Sequence, residues 1–107
     1  MNVVPATCEH LESWYGFVPD VRAVAFLDGE AVAGVAGVYR HEGADWLFGD
    51  IDAVRGKALV RGIRAVLALS PGPLHAFADE GVPEAAGMLE HMGFRCLGGN
   101  EFVRSAP

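Results

Sequence analysis

Residues 57–78, KALVRGIRAVLALSPGPLHAFA, carry the change of periodicity that decides the fold. Apolar side chains in the first half recur at i, i+4, i+7 and i+8, which predicts a helix over residues 57–69 with one apolar face. These side chains are Leu59, Ile63, Val66 and Leu67. Two prolines within residues 70–73 end the helix. The short apolar run over residues 74–78 then predicts a strand that is buried on both faces and parallel to a neighbour.

The residues before this stretch have the composition of strands. Short runs rich in Val, Ala and Phe predict a strand over residues 2–4 and an antiparallel meander over 22–27, 31–39 and 46–51. The dipeptide Asp28-Gly29 indicates the first hairpin turn, and residues 41–44 form the second. Between the first two strands, Thr7 caps a short helix over residues 8–15, which Gly16 ends.

The residues after this stretch predict one more helix and two strands. Pro83 suits the first turn of a helix over residues 83–92, and Gly93 ends that helix. Strands over 94–97 and 101–104 follow, joined by a glycine-rich turn. We therefore predict a single α/β (α+β) domain over residues 1–107. Its mixed central sheet of six to seven strands is flanked by two main helices and one short N-terminal helix.

The composition argues against several classes of protein. Apolar residues make up 51% of the 107 residues, which is enough for one core without metal or disulfide staples. Cys8 and Cys96 lack metal-ligand spacing and the four histidines lie in separate elements, so we predict no metal site. The formal net charge of −6 argues against nucleic acid and anionic membranes as partners. No signal peptide is visible, so we expect a cytoplasmic protein.

The last predicted helix carries the most specific motif of the chain. Residues 86–94, AGMLEHMGF, resemble the A-x-x-L-Y-E-x-L-G-F helix and exit of the GCN5-related N-acetyltransferase (GNAT) superfamily. The segment from Leu27 to Gly34 is similar to the D-G-x-x-x-G turn of that family, and the likeness covers residues 2–104. In its overall sequence the chain is most similar to short GNAT-like proteins encoded by bacteriophages. The resemblance implies the GNAT fold and transfer of an acetyl group from acetyl-CoA to an amine acceptor.

The same resemblance places the cofactor strand and the pyrophosphate loop over residues 50–61. It implies the following acetyl-CoA-binding residues: Ile51, Asp52, Ala53, Arg55, Gly56, Lys57 and Ala58. Small residues suit this loop because backbone N–H groups at a helix N-terminus must approach the diphosphate.

Two carboxylates at the end of the third meander strand are candidate catalytic groups. Asp50 and Asp52 alternate with Ile51, so with Ile51 in the core both carboxylates face the cofactor groove. A carboxylate there can act as general base for an amine. A capping role at the end of the strand is the alternative.

The basic cluster of this acidic chain has two interpretations. Its members are Arg55, Lys57, Arg61 and Arg64. They either steer the phosphates of coenzyme A toward the helix N-terminus or form an ordinary solvated helix face.

Three departures from the family pattern leave the activity open. The connection over residues 5–21 is short, so the acceptor pocket is open or is completed by a protein partner or a second copy of the chain. An aromatic cluster lies next to this connection and has three interpretations: it lines the acceptor site, forms an interface with a partner protein, or covers the end of the sheet. Its members are Trp14, Tyr15 and Phe17. Val60 replaces a small residue of the pyrophosphate loop. Leu89 occupies the position of the tyrosine that protonates the leaving thiolate.

Two functions therefore remain. The first is a GNAT-like acyl-CoA N-acetyltransferase, weak or degenerate in activity. The alternative is a non-catalytic structural or accessory protein of GNAT fold, for instance a bacteriophage virion component. On the phage interpretation we expect the protein in the host cytoplasm or in the virion.

Overall fold

The computed structural model describes residues 1–105, so residues 106 and 107 of the predicted domain lie outside the described part. The described part forms a compact α+β domain of seven strands and three helices. In chain order they are β1 (Asn2–Pro5), α1 (Cys8–Tyr15), β2 (Arg22–Asp28), β3 (Ala31–His41), β4 (Ala44–Asp50), α2 (Gly56–Leu67), β5 (Leu74–Phe77), α3 (Ala85–His91), β6 (Arg95–Gly98) and β7 (Glu101–Arg104). The predicted class and the order of the elements are confirmed.

The seven strands of residues 1–105 form one mixed sheet in the order β1-β2-β3-β4-β5-β7-β6. β4 and β5 are parallel, whereas the other neighbouring strands in that order are antiparallel. The parallel pairing predicted for β5 is confirmed, and α2 forms the crossover that such a connection requires.

Two tight turns set the register of the meander. In the second turn Glu42 and Gly43 both have a positive φ, 50° and 77°, as a type I′ turn requires. The first turn lies one residue later than predicted, because Asp28 pairs with Ala31. Between them Gly29 alone has a positive φ, 64°. This pattern fits a type II′ turn, which needs glycine only at its first central position.

The helix ends follow local hydrogen bonds. The Thr7 hydroxyl accepts from the backbone N–H of His10, which confirms the predicted cap of α1. α2 ends two residues earlier than predicted, where the N–H of Leu69 bonds to the carbonyl oxygen of Val66 and the last turn tightens. α3 begins at Ala85 instead of residue 83, because residues 82–85 form a separate turn first.

The main core lies between the sheet and the pair of helices α2 and α3. Alternate residues of the strands and the apolar faces of both helices supply it. Its most buried large side chains are Phe26, Leu74, Val38, Val54 and Val66. The apolar helix face predicted for α2 is confirmed, since Leu59, Val66 and Leu67 pack on this core.

The opposite face of the sheet is only half covered. α1 lies against the β2–β3 side, where Leu11, Ala25 and Val35 are buried apart from the main core. Over β4 and β5 this face carries aromatic rings. Trp46 and Phe77 stack with ring centroids 4.9 Å apart, and Phe77 is 63% exposed. The short N-terminal connection therefore leaves part of the sheet open.

Candidate functional site

β4 and β5 are paired only near their first residues. The parallel ladder joins Asp45 to Leu74 and Trp46 to His75. Beyond these pairs a cavity of about 210 Å³ opens between the two strands. Ligand pockets usually measure roughly 300–1,000 Å³, so this cavity has room for only part of a ligand of ordinary size.

The cavity is mostly apolar, with carboxylates among its lining residues. β4, β5, α2 and α3 supply apolar walls, among them Leu47, Ile51, Ile63, Ala76, Met88 and Leu89. Asp52 and Asp79 also line it, and both are exposed. Asp79 accepts a hydrogen bond of 2.8 Å from the backbone N–H of Gly81, which closes the loop after β5. An apolar arm with a polar group at its end fits such a space.

Asp50 and Asp52 lie in different surroundings. β4 ends at Asp50, and the N–H of Val54 bonds to the carbonyl oxygen of Ile51, so a turn interrupts the strand alternation. Asp50 is the cross-strand neighbour of Val35, on the face that α1 covers. Asp52 instead lines the cavity. The prediction that both carboxylates face one groove is wrong, because alternation holds only within the strand.

The loop before α2 is held in place from both sides. Val54 is fully buried beneath it, and Ala58 packs on the core from the first turn of α2. The Arg55 guanidinium donates hydrogen bonds to the carbonyl oxygens of Asp52 and Val54. Arg55 therefore stabilises the loop that the sequence had assigned to phosphate binding. Ala53 is exposed in the same turn.

The N-terminus of α2 keeps free backbone donors. The helix begins at Gly56, whose φ of 68° favours glycine. The N–H groups of Gly56, Lys57 and Ala58 precede the first intrahelical hydrogen bonds. Lys57 is exposed, and its side chain makes no hydrogen bond or ion pair within residues 1–105. These groups are the ones suited to an anion.

The remaining members of the basic cluster point elsewhere. The Arg61 guanidinium donates to the carbonyl oxygen of Met1, 3.1 Å away, and so ties α2 to the start of the chain. Arg64 lies in the last turn of α2, where a cation complements the helix dipole. Both observations favour the interpretation of Arg61 and Arg64 as structural surface residues.

Two residues that depart from the family pattern differ in burial. Val60 is 49% exposed on the outer face of α2, one turn beyond the free N–H groups. Its side chain leans toward the helix N-terminus, as helical side chains do. Leu89 is 5% exposed and lines the cavity. His91, two residues further, is exposed and is not among the cavity residues.

A hydrogen bond that the sequence analysis missed joins α1 to the end of β4. The phenol of Tyr15 donates to Oδ2 of Asp50 at 2.8 Å. Burial, then the hydrogen bond and the negative charge of Asp50, raise the pKa of Tyr15 well above its ordinary value of 10.0. The sequence signal was the aromatic cluster at residues 14–17, but nothing in it indicated a carboxylate 35 residues away.

The aromatic face beside the cavity contains two unpaired polar atoms. The rings of Trp46 and His75 lie 5.0 Å apart. Within residues 1–105, Nε1 of Trp46 and Nδ1 of His75 are buried without a hydrogen-bond partner.

No protein-family model matches the chain, and no curated protein or solved structure shows significant similarity to it. The described residues contain no group of three or more His, Cys, Asp or Glu side chains that could hold a metal ion. Nor is any helix among them long and apolar enough to cross a membrane.

Proposed function

We propose that the protein is a GNAT-like N-acetyltransferase that moves an acetyl group from acetyl-CoA to an amine. The observation that carries the proposal is the apolar cavity where the parallel strands β4 and β5 separate, whose lining includes Ile51 and Asp52 from the loop that leads into α2. In this proposal an extended chain occupies the apolar cavity, and its anionic end reaches the backbone donors at the start of α2. This arrangement supports a ligand that joins an apolar arm to a diphosphate.

The residues divide into two groups in this proposal. Gly56, Lys57 and Ala58 would hold the diphosphate through their N–H groups and the Lys57 ammonium. Ile51 and Asp52 would line the path of the arm, as they line the cavity. Arg55 acts indirectly, by shaping the loop through its bonds to carbonyl oxygens.

The proposed reaction needs one proton removed and one supplied. The amine attacks the thioester carbonyl carbon, so a C–N bond forms and the C–S bond breaks. Asp50 accepts the proton that the amine loses. The departing thiolate takes its proton from water, because Leu89 has none to give. A missing general acid typically costs about 10²–10⁴-fold, so we expect slow turnover.

The test is thiol release from acetyl-CoA with a panel of amines, comparing the wild type with Asp50→Asn. We expect turnover in the wild type and a loss of about 10²–10⁴-fold in the variant, the usual contribution of a positioned base. Asp28→Asn, an exposed carboxylate at the C-terminal end of β2 and two strands away from β4, is the matched control. The proposal would be contradicted if the wild type neither released thiol nor bound acetyl-CoA.

A second candidate is a non-catalytic accessory protein of the same fold, for instance a virion component. The burial of Leu89 at the position of the family's tyrosine supports it. The engagement of Arg55 with its own loop supports it as well. This candidate predicts no heat in a titration with acetyl-CoA, whereas the enzyme predicts measurable binding.

A further inference from the structure

Tyr15 and Asp50 are the terminal residues of two elements on the same side of the sheet. Tyr15 ends α1, Asp50 ends β4, and the phenol oxygen lies 2.8 Å from Oδ2 of the carboxylate. Gly16 fixes the end of α1 through its N–H, which bonds to the carbonyl oxygen of Glu12. The Tyr15 ring also packs against Phe17, with centroids 6.0 Å apart. The backbone hydrogen bond at the end of α1 and the contact with the Phe17 ring therefore both fix the position of the Tyr15 phenol.

We infer that Tyr15 is the positioning residue of the Asp50 carboxylate in acetyl transfer, an inference that rests on the proposed function. A carboxylate at the exposed end of a strand rotates freely unless something holds it. The phenol engages Oδ2, whereas Oδ1 makes no hydrogen bond within residues 1–105. Oδ1 is therefore the oxygen that accepts the proton of the amine.

The direction from which the acceptor arrives follows from the same contact. Asp50 pairs with Val35, on the face opposite α2 and α3, so its carboxylate lies on the α1 side of the sheet. Phe48 and Phe77 line the cavity, and the stacking of Phe77 on Trp46 places its ring on that same side. Part of the cavity wall therefore lies on the side of the sheet that carries the carboxylate. The amine approaches from the α1 side and the acetyl group from the other.

The phenol is suited to hold a carboxylate and not to exchange its own proton. Burial and the neighbouring Asp50 charge raise the pKa of Tyr15, so it remains a hydrogen-bond donor across the neutral pH range. Tyr15 therefore acts on the reaction through Asp50 and without a proton transfer of its own. A residue that acts only through another gives non-additive losses when both are changed.

The experiment is a double-mutant cycle measured by steady-state thiol release. Tyr15→Phe keeps the ring and should lower kcat about tenfold, the equivalent of one hydrogen bond, with the KM for acetyl-CoA unchanged. Asp50→Asn should lower kcat by about 10²–10⁴-fold, and the double variant should lose no more than Asp50→Asn alone. Tyr39→Phe, a tyrosine of β3 with no hydrogen-bond partner for its hydroxyl within residues 1–105, should match the wild type.

A second readout needs no turnover. The Tyr15 phenol, followed by NMR or ultraviolet titration against the Tyr15→Phe spectrum, should ionise at lower pH in Asp50→Asn than in the wild type. An unchanged titration, or additive losses in the cycle, would overturn the inference and leave acetyl transfer standing. A wild type without turnover, but with the titration shifted as expected, would overturn the proposed function and the catalytic role of the pair together.

Discussion

The ring of Phe26 on β2 occupies the space that a Cβ on Gly62 of α2 would need. Phe26 is fully buried, and Gly62 lies in the middle of the helix above it. The absent side chain lets α2 lie close to the sheet. That close packing holds α2 against β2 and β3 on the face of the sheet that forms the main core.

Gly62→Ala should therefore destabilise the protein although alanine is the better helix former. The Phe26 ring must move, and overpacking a core costs about 1–3 kcal/mol. Gly87→Ala in α3 is the matched control, because an added Cβ there meets nothing within 4 Å. It should stabilise by up to about 1 kcal/mol. Chemical denaturation of both variants measures the difference, and equal effects would show that α2 does not need this close approach.

Asp45 holds the start of β4 and should be costly to neutralise. Its buried carboxylate accepts from the Ser70 hydroxyl at 2.9 Å and pairs with Arg22 and Arg40, each at 3.3 Å. We expect Asp45→Asn to reduce the free energy of unfolding by about 2 kcal/mol, since hydrogen bonds to charged groups contribute about 1.5–3 kcal/mol. Glu42→Gln, in an exposed pair with His41, should change it by less than about 0.5 kcal/mol.

The Asp45 carboxylate should also make the free energy of unfolding depend on pH in the acid range. Burial raises the pKa of Asp45, but the Ser70 hydrogen bond and the charges of Arg22 and Arg40 outweigh it and hold the pKa below 3.8. A depressed folded-state pKa contributes stability above the unfolded value, and that stability is lost as the pH falls through the folded value. The difference in the free energy of unfolding between the wild type and Asp45→Asn should therefore become smaller below about pH 4. Denaturation midpoints at pH 7 and pH 3 test this, and a constant difference would contradict it.

Binding of acetyl-CoA should be weak and should respond to Lys57 and Val60. Lys57→Gln removes a charge-assisted bond of about 1.5–3 kcal/mol, which is about tenfold or more in Kd. Val60→Ala removes a branched side chain from the first turns of α2 and should tighten binding by up to about tenfold. Arg64→Gln, at the other end of α2, is the control and should bind as the wild type does. Isothermal titration measures all four proteins, and sub-micromolar affinity in the wild type would show that Val60 is no obstacle.

Leu89→Tyr should raise turnover if the cavity carries the reaction. A hydroxyl there could protonate the thiolate, an effect worth about 10²–10⁴-fold when well placed. Leu89→Phe adds the ring without the proton and controls for size. Because Leu89 is buried among apolar residues, both variants should also lose stability. Turnover that is unchanged in Leu89→Tyr would show that α3 is not the source of the acid.

Much of the fold was predictable from local patterns. The period of α2, the turn glycines and the Thr7 cap act within a few residues, so the elements came out in the observed order. The errors lie at element ends. The turn at Gly29 and the start of α3 each moved by one or two residues, because a single backbone hydrogen bond decides such an end and composition does not.

The candidate site was predictable only as a list of residues. Ile51 and Asp52 do line the cavity, whereas Ala58 packs on the core from the first turn of α2. Strand alternation failed between Asp50 and Asp52, because a turn after β4 sends the second carboxylate to the cavity side. Alternation is a property of paired backbone and ends with the ladder.

Residue patterns determine an α+β chain of seven strands and three helices. The period of a helix or a strand is visible in a few consecutive residues, so it can be recognised from the sequence alone. Tertiary structure alone decided that Tyr15 holds Asp50 and that Arg55 turns back onto its own loop. It also decided that β4 and β5 separate beyond Trp46. Some of these features join residues that are far apart in the sequence. The others depend on which side chains pack next to a given residue in the folded protein. Such contacts are set by the packing of the whole sheet, and no local sequence pattern encodes them.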